Sequence, residues 1–258
     1  MNLKLAVSLL LLCSLSYAGE TVFSARQLGS SYGAVSVYYT HTSETLSLQV
    51  NSNDAIAVGN VQYFSAVTND LATDVKSDRV AVKWSFHPTP EIDYWLKAGS
   101  ANYELSYPAA SERDTLSSDE PGYVVGFGFR KLLMPDTIVT PAVSVDLGGE
   151  YLECGLQRFQ QGNAAATVVS DRVVQTEVQA SVIASKKYKV FEPYAGLKVS
   201  DEGLSLLNKA SVNSVSGTKN LVSLFAGCKV AMAGKDGLII EASFIGQTAF
   251  TAGWNIEF

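Results

Sequence analysis

FTAGWNIEF, residues 250–258, alternates apolar side chains with small or polar ones without interruption. A period of two residues is typical of a β-strand whose two faces meet different surroundings. In water the apolar row would be exposed, whereas in a bilayer it faces lipid. The stretch therefore predicts a membrane-spanning β-strand. The apolar row comprises Phe250, Ala252, Trp254, Ile256 and Phe258.

Composition limits the classes of protein that can carry such a strand. Hydrophobic residues make up 47% of the 258 residues and charged residues only 17%. The 25 acidic side chains outnumber the 19 basic ones, which argues against nucleic acid as a partner. After residue 18, no stretch has the roughly 20 apolar residues that a transmembrane helix needs. Two classes remain, a soluble β-sandwich and a closed β-barrel in a membrane.

The amino terminus predicts export. A positive charge at Lys4 precedes an apolar run from Leu5 to Leu15, and small residues follow at Ser16 and Ala18. This order is typical of a secretory signal peptide, and the run is too short for a membrane-spanning helix. We therefore expect residues 1–18 to be a signal peptide, residues 19–31 a periplasmic lead-in, and residues 32–258 the barrel.

Segment lengths favour the barrel over the sandwich. Most alternating segments run for about nine to eleven residues, the length of a tilted strand that crosses a bilayer. Short turns near residues 52, 89, 135, 188 and 235 alternate with longer polar stretches, which is the loop pattern of outer-membrane barrels. The prediction is an all-β fold, a closed antiparallel transmembrane barrel of twelve strands. The alternative is ten strands, if residues 44–64 form one long loop.

With these strands, turns and terminal aromatic residue, the chain resembles bacterial outer-membrane β-barrel proteins. Trp254, Ile256 and Phe258 resemble the carboxyl-terminal signal that such proteins present to the outer-membrane assembly machinery. The resemblance implies insertion from the periplasm into the bacterial outer membrane. Outer-membrane lipid, lipopolysaccharide and the assembly machinery are then the expected partners.

The polar rows predict the lining of the barrel interior. A mixed-sign lining suits a small passive channel, which is our first functional expectation, or a filled interior in which opposite charges pair. The second expectation is a non-conducting structural or surface-interaction barrel. The predicted charged lining is Arg79, Lys83, Asp93, Lys97, Arg130, Asp146, Glu150, Glu177, Glu192, Lys198, Lys229 and Glu241.

Catalysis and metal binding have little support in the sequence. His41-Thr42-Ser43-Glu44 brings an imidazole, hydroxyls and a carboxylate together in sequence, which would suit a lipid-modifying enzyme. Adjacent residues rarely converge on one point, so we expect no enzyme, no cofactor and no metal site. Cys154 and Cys228 fall on different rows of strands that are not neighbours, and no disulfide is expected between them.

Overall fold

The computed structural model describes residues 32–258, except 51–56, 59–60, 63–70, 110–111, 209–213, 233–235 and 246. The expected signal peptide and lead-in lie outside the described residues. No helix in the described part of the chain is long and apolar enough to cross a membrane. The strands are β1 (Gly33–Val50), β2 (Ala57–Val58), β3 (Val61–Gln62), β4 (Leu71–Thr89), β5 (Ile92–Ala109), β6 (Glu112–Ser117), β7 (Gly122–Met134), β8 (Ala142–Gln161), β9 (Thr167–Ser185), β10 (Phe191–Asn208), β11 (Ser214–Ala231), β12 (Asp236–Phe244) and β13 (Thr248–Glu257).

The strands close into an antiparallel barrel, as the sequence predicts. Near the end of the barrel that carries Phe258, which we call the lower end, each strand pairs with the next around a ring of ten. β13 closes this ring on β1, from Ser43 opposite Thr248 to Ala34 opposite Glu257. The lower ring contains β1, β4, β5, β7, β8, β9, β10, β11, β12 and β13.

Toward the upper end the ring narrows to eight strands. β12 and β13 are short and end at Phe244 and Thr248, so β1 pairs directly with β11 above them, at Gln49–Ser216 and Val50–Val215. β6 takes the place of β7 between β5 and β8 at this level. The upper ring therefore contains β1, β4, β5, β6, β8, β9, β10 and β11.

The two strand counts from the sequence describe different parts of this arrangement. With β6 and β7 taken as the two halves of one strand position, the described chain has twelve strands. Ten of them form the lower ring, and β2 and β3 form a separate two-stranded hairpin. Leu46 and Leu48 do not begin a second strand, because they continue β1 to Val50.

The lower part of the barrel has an apolar exterior. On β4, for example, Val80, Val82 and Trp84 face outward and are each close to half exposed. The same outward rows carry the aromatic side chains predicted to lie at the membrane interfaces. Those aromatic residues are Tyr39, Trp84, Tyr94, Tyr123, Tyr151, Phe250, Trp254 and Phe258.

Above this belt the alternation changes phase. In lower β5, Tyr94 and Leu96 face outward, whereas in upper β5 Tyr103, Leu105 and Tyr107 face inward and are about 2% exposed or less. Asn102, Glu104 and Ser106 now form the outer row. An apolar row belongs outside in lipid but inside in water, so the change of phase marks the upper boundary of the membrane.

The strands are consequently longer than the sequence suggests. Several run for 18 to 20 residues, about twice what a crossing requires. Residues 106–121 and 201–220, expected as outer loops, instead contain β6 and the upper halves of β10 and β11. The expectation was wrong there because polar outward rows look like loop sequence when the inward row is not followed.

Candidate functional site

The barrel interior is filled by three layers of side chains. The lower layer sets aromatic rings against glycines on neighbouring strands. A Cβ atom added to Gly148 would lie 2.3 Å from Trp95 Cζ2, and one added to Gly227 would lie 2.3 Å from Tyr194 Cζ. Glycine is required at these positions because the rings occupy the space that a side chain would take. The rings thereby fill much of the lower interior.

The middle layer is a set of buried charges, which we call the interior charge layer. Arg79 Nη1 lies 2.5 Å from Glu150 Oε1, and Lys97 Nζ contacts the other oxygen of the same carboxylate. Lys198, 1% exposed, donates to Glu177 Oε1 at 3.0 Å. Buried ions are tolerated when opposite charges and hydrogen bonds compensate their desolvation. The interior charge layer comprises Glu44, Arg79, Lys97, Glu150, Gln175, Glu177, Lys198 and Glu202.

The upper layer is an apolar core inside the eight-stranded ring, which we call the upper cluster. No member is more than 5% exposed. An eight-stranded barrel has an interior just wide enough for side chains to fill. The upper cluster comprises Leu46, Leu48, Val75, Ala101, Tyr103, Leu105, Tyr107, Leu116, Val124, Leu152, Cys154, Leu156, Phe159, Val169, Val173, Leu204 and Leu206.

The twelve charged residues predicted to line the interior fall into two groups. Five lie in the interior charge layer: Arg79, Lys97, Glu150, Glu177 and Lys198. Seven lie nearer the lower end: Lys83, Asp93, Arg130, Asp146, Glu192, Lys229 and Glu241. Nine of the twelve are 7% exposed or less, and Glu150, Glu177 and Lys229 are half-buried.

The lower group forms separate local pairs. Arg130 Nη2 lies 2.9 Å from Asp146 Oδ2 on the neighbouring strand. Lys83 Nζ lies 4.3 Å from the centre of the Trp95 ring, a cation–π contact. The other contacts are Asp93 with His87 at 2.5 Å, Glu192 with Ser185 at 3.3 Å, Glu241 with Tyr194 at 3.0 Å, and Lys229 with Glu257.

Sequence reasoning missed three members of the interior charge layer. Glu44, Gln175 and Glu202 are 6%, 3% and 1% exposed. Glu44 and Glu202 fall in stretches expected to be loops, and Gln175 was not singled out. Parity would have found the two carboxyls, because Glu44 shares its row with Thr40 and Thr42, and Glu202 shares its row with Lys198 and Ser200.

The structure separates the residues of the His41 cluster. Thr42 and Glu44 face the interior, whereas His41 and Ser43 face outward. His41 Nδ1 instead lies 2.8 Å from Asp78 Oδ1 on β4. Ser43 lies two residues along the same row, about 7 Å away, beyond hydrogen-bonding range. The imidazole, hydroxyls and carboxylate of residues 41–44 do not converge.

Metal and thiol chemistry have no arranged site in the described residues. No group of three or more histidine, cysteine, aspartate or glutamate side chains is placed there to hold a metal ion. Cys154 and Cys228 are both free, Cys154 buried in the interior and Cys228 half-buried on the outer row of β11. The terminal residues Trp254, Ile256 and Phe258 face outward at the lower end.

Comparison with known proteins gives the fold. No family model and no curated protein matches the chain. Among solved structures, the outer-membrane protease OmpT from Escherichia coli matches with a TM-score of 0.52 at 10% identity, over 91% of this chain and all of that chain. The translocator domain of the autotransporter NalP from Neisseria meningitidis matches with a TM-score of 0.46 at 10% identity, over 89% and 90% of the two chains.

The toluene transporter TodX from Pseudomonas putida matches more weakly, with a TM-score of 0.31 at 7% identity over 93% of each chain. The chain therefore has the fold of a bacterial outer-membrane β-barrel. Its apolar exterior belt, closed on both sides by aromatic side chains, places the lower ring across that membrane.

Proposed function

We propose that this protein is a closed, non-conducting barrel that presents its eight-stranded upper part at the outside of the cell for surface interactions. The upper cluster carries this proposal, because seventeen buried side chains occupy the interior of the upper ring. A channel needs a continuous polar path. The filled interior supports the second of the two functions expected from the sequence over a small passive channel.

The exterior of the upper part supports an interaction role. Its outward rows are polar and carry ion pairs such as Lys76 with Glu104 at 2.9 Å and Arg113 with Asp74 at 2.6 Å. A strand wall that rises well above the belt is unnecessary for anchoring alone. Partners of this surface would meet a hydrated, mixed-charge wall with the polar character of ordinary protein–protein contact surfaces.

Conductance in a planar bilayer tests the closed interior. Folded protein, verified by a band that shifts on heating in sodium dodecyl sulfate, should insert and give no stepwise current. Reproducible steps from the folded protein would refute the proposal and restore the channel. A matched variant, Tyr107→Ala, removes the largest fully buried side chain and reports whether the upper cluster is the barrier.

Cell-surface labelling tests the exposure of the upper part. In a background with Cys154→Ser and Cys228→Ser, Asn102→Cys lies on the upper outward row and should react with a membrane-impermeant maleimide on intact cells. Val82→Cys lies in the belt and should stay unlabelled. Equal labelling of the two cysteines would contradict the proposed placement.

We propose no catalytic role, even though the fold is shared with a protease. The His41–Asp78 pair lies on the barrel exterior, where the imidazole faces the membrane interface rather than an enclosed pocket. Loss of a lipid-modifying activity on His41→Ala, with the fold intact, would be the result that reverses this view.

A further inference from the structure

The step from ten strands to eight leaves a wedge in the wall between β1 and β11. Below the wedge, β12 and β13 separate the two strands up to the Ser43–Thr248 and Leu224–Phe244 pairs. Above it, the paired residues of β1 and β11 are Gln49–Ser216 and Val50–Val215. Residues 44–48 of β1 and 218–223 of β11 converge across this interval. We call this interval the seam.

Side chains rather than a backbone ladder bridge the seam. Lys219 Nζ on β11 donates to the backbone carbonyl of Thr45 on β1 at 2.8 Å and lies 3.8 Å from Glu44 Oε2. Gln247, from the turn between β12 and β13, is 3% exposed and accepts from Lys198 at 3.4 Å. A strand junction held by one ammonium group depends on what else competes for that group.

Two buried carboxyl groups meet behind the seam. Glu44 from β1 and Glu202 from β10 are 6% and 1% exposed, and their side chains are within hydrogen-bonding contact of each other. The Oε2 atom of each has no hydrogen-bond partner in the described residues, while Glu202 Oε1 accepts from the Gln175 amide. Two carboxylates cannot bond each other, but one proton placed between them satisfies both.

The charges around this pair do not remove the need for a proton. Glu177 on β9 adds a third acid, and Arg79 on β4 is committed to Glu150 on β8. Lys198 on β10 is engaged by Glu177, and the phenol of Tyr103 on β5 is neutral. Lys219 is directly opposite Glu202 in register, yet its ammonium reaches across to β1.

We propose that Glu44 and Glu202 hold one proton between them, and that release of this proton to bulk water opens the seam between β1 and β11. An ionised Glu202 repels Glu44 and competes for the Lys219 ammonium that lies opposite it. Lys219 then leaves the Thr45 carbonyl, and β1 loses its bridge to β11 just above the membrane belt.

The direction of the pH effect follows from linkage. Both groups lie above the belt, and burial is the main cause that raises the pKa of Glu44 and raises the pKa of Glu202 well above its usual range. The closed seam therefore binds the proton more tightly than a solvated open seam does. Closure is complete at low pH and is lost as pH rises through the raised, shared pKa of the pair.

Thiol labelling measures this opening. In the background with Cys154→Ser and Cys228→Ser, Leu46→Cys places a thiol on the inner row of β1 behind the seam, where Leu46 is 2% exposed. Ser47→Cys places a matched thiol on the exposed row of the same strand. The ratio of their maleimide labelling rates cancels the thiol's own ionisation. One proton predicts that the ratio rises by at most about tenfold per pH unit, between about pH 6 and about pH 9.

Two variants remove the proton site. Glu202→Gln and Glu44→Gln each supply a donor in place of the proton, so the labelling ratio should stay low at every pH. Glu104→Gln, at an exposed acid on the outer row, should keep the slope of the parent. The heat-induced gel shift at each pH confirms that the barrel stays folded.

A flat ratio in the parent, or an unchanged slope in both glutamine variants, overturns the proposal. If one glutamine variant fails to fold, the other decides between the outcomes. Infrared spectroscopy gives a second readout, since a protonated carboxyl band should persist in the parent above the pH at which exposed glutamates ionise. Absence of that band in the folded parent would also overturn it.

Discussion

The carboxylate of Glu150 ties two buried cations together, and its replacement gives a quantitative test of the interior charge layer. Glu150 contacts Arg79 and Lys97, whose side chains are 6% and 5% exposed. Glu150→Gln keeps the shape and removes the charge. Removal of one partner of a buried ion pair typically costs about 3–5 kcal/mol, because the remaining charge stays desolvated. We expect a loss of unfolding free energy in that range.

A double variant separates charge from packing. Lys97→Met with Glu150→Gln removes one cation together with the carboxylate, so it should be more stable than Glu150→Gln alone by at least about 1 kcal/mol. An exposed pair supplies the matched control. Glu104→Gln removes the partner of Lys76, where both side chains are at least 42% exposed, and should cost about 1 kcal/mol or less.

Urea unfolding in detergent micelles, followed by tryptophan fluorescence, measures these differences. The order of stability should be parent, Glu104→Gln, the double variant and then Glu150→Gln. If Glu150→Gln costs no more than Glu104→Gln, the carboxylate does not compensate buried charge. If the double variant is no better than the single one, the effect is lost packing, and the electrostatic argument fails.

Two further predictions concern the upper core and the lower layer. Asp171 lies above the belt at 5% exposure with neither carboxyl oxygen hydrogen-bonded to a described residue, and burial raises its pKa to about 6. Stability should therefore fall by about 2–3 kcal/mol as pH rises from about 4 to beyond 6, and Asp171→Asn should abolish that slope in pH-dependent unfolding. In the lower layer, Gly148→Ala should cost about 1–3 kcal/mol by displacing Trp95, and Trp95→Leu should recover part of this cost. Gly149→Ala meets only ordinary contacts and should be nearly neutral in the same unfolding assay, whereas equal costs at both glycines would contradict the packing argument.

The lower half of the fold could be predicted because lipid imposes a simple rule on each strand. Trp254 and Ile256 face outward and Asn255 faces the interior, as the alternation of the last strand requires. The upper half follows the opposite rule, since water lies outside it. The change of parity between Leu197 and Leu204 on β10 records the switch, and a search for such phase changes would have found the longer strands.

Contacts across the interior were beyond the sequence for a different reason. Arg79 and Glu150 are 71 positions apart and lie on strands that are not neighbours in the ring. Their meeting depends on barrel diameter and on stagger between strands, which alternation does not encode. The mixed sign of the predicted lining indicated that pairing was possible, but not which acid would meet which base.

The short terminal hairpin explains where the charges stop. β12 and β13 end at Phe244 and Thr248, and above them the ring loses two strands. A narrower ring leaves no room for water, so an ion there would lack both solvent and space for a partner. The next inward residues above the charge layer are accordingly apolar on three of the strands: Leu46 follows Glu44, Leu152 follows Glu150, and Leu204 follows Glu202. The strand that ends in Phe258 therefore does more than close the barrel, because its length sets the level at which a charged interior becomes an apolar plug.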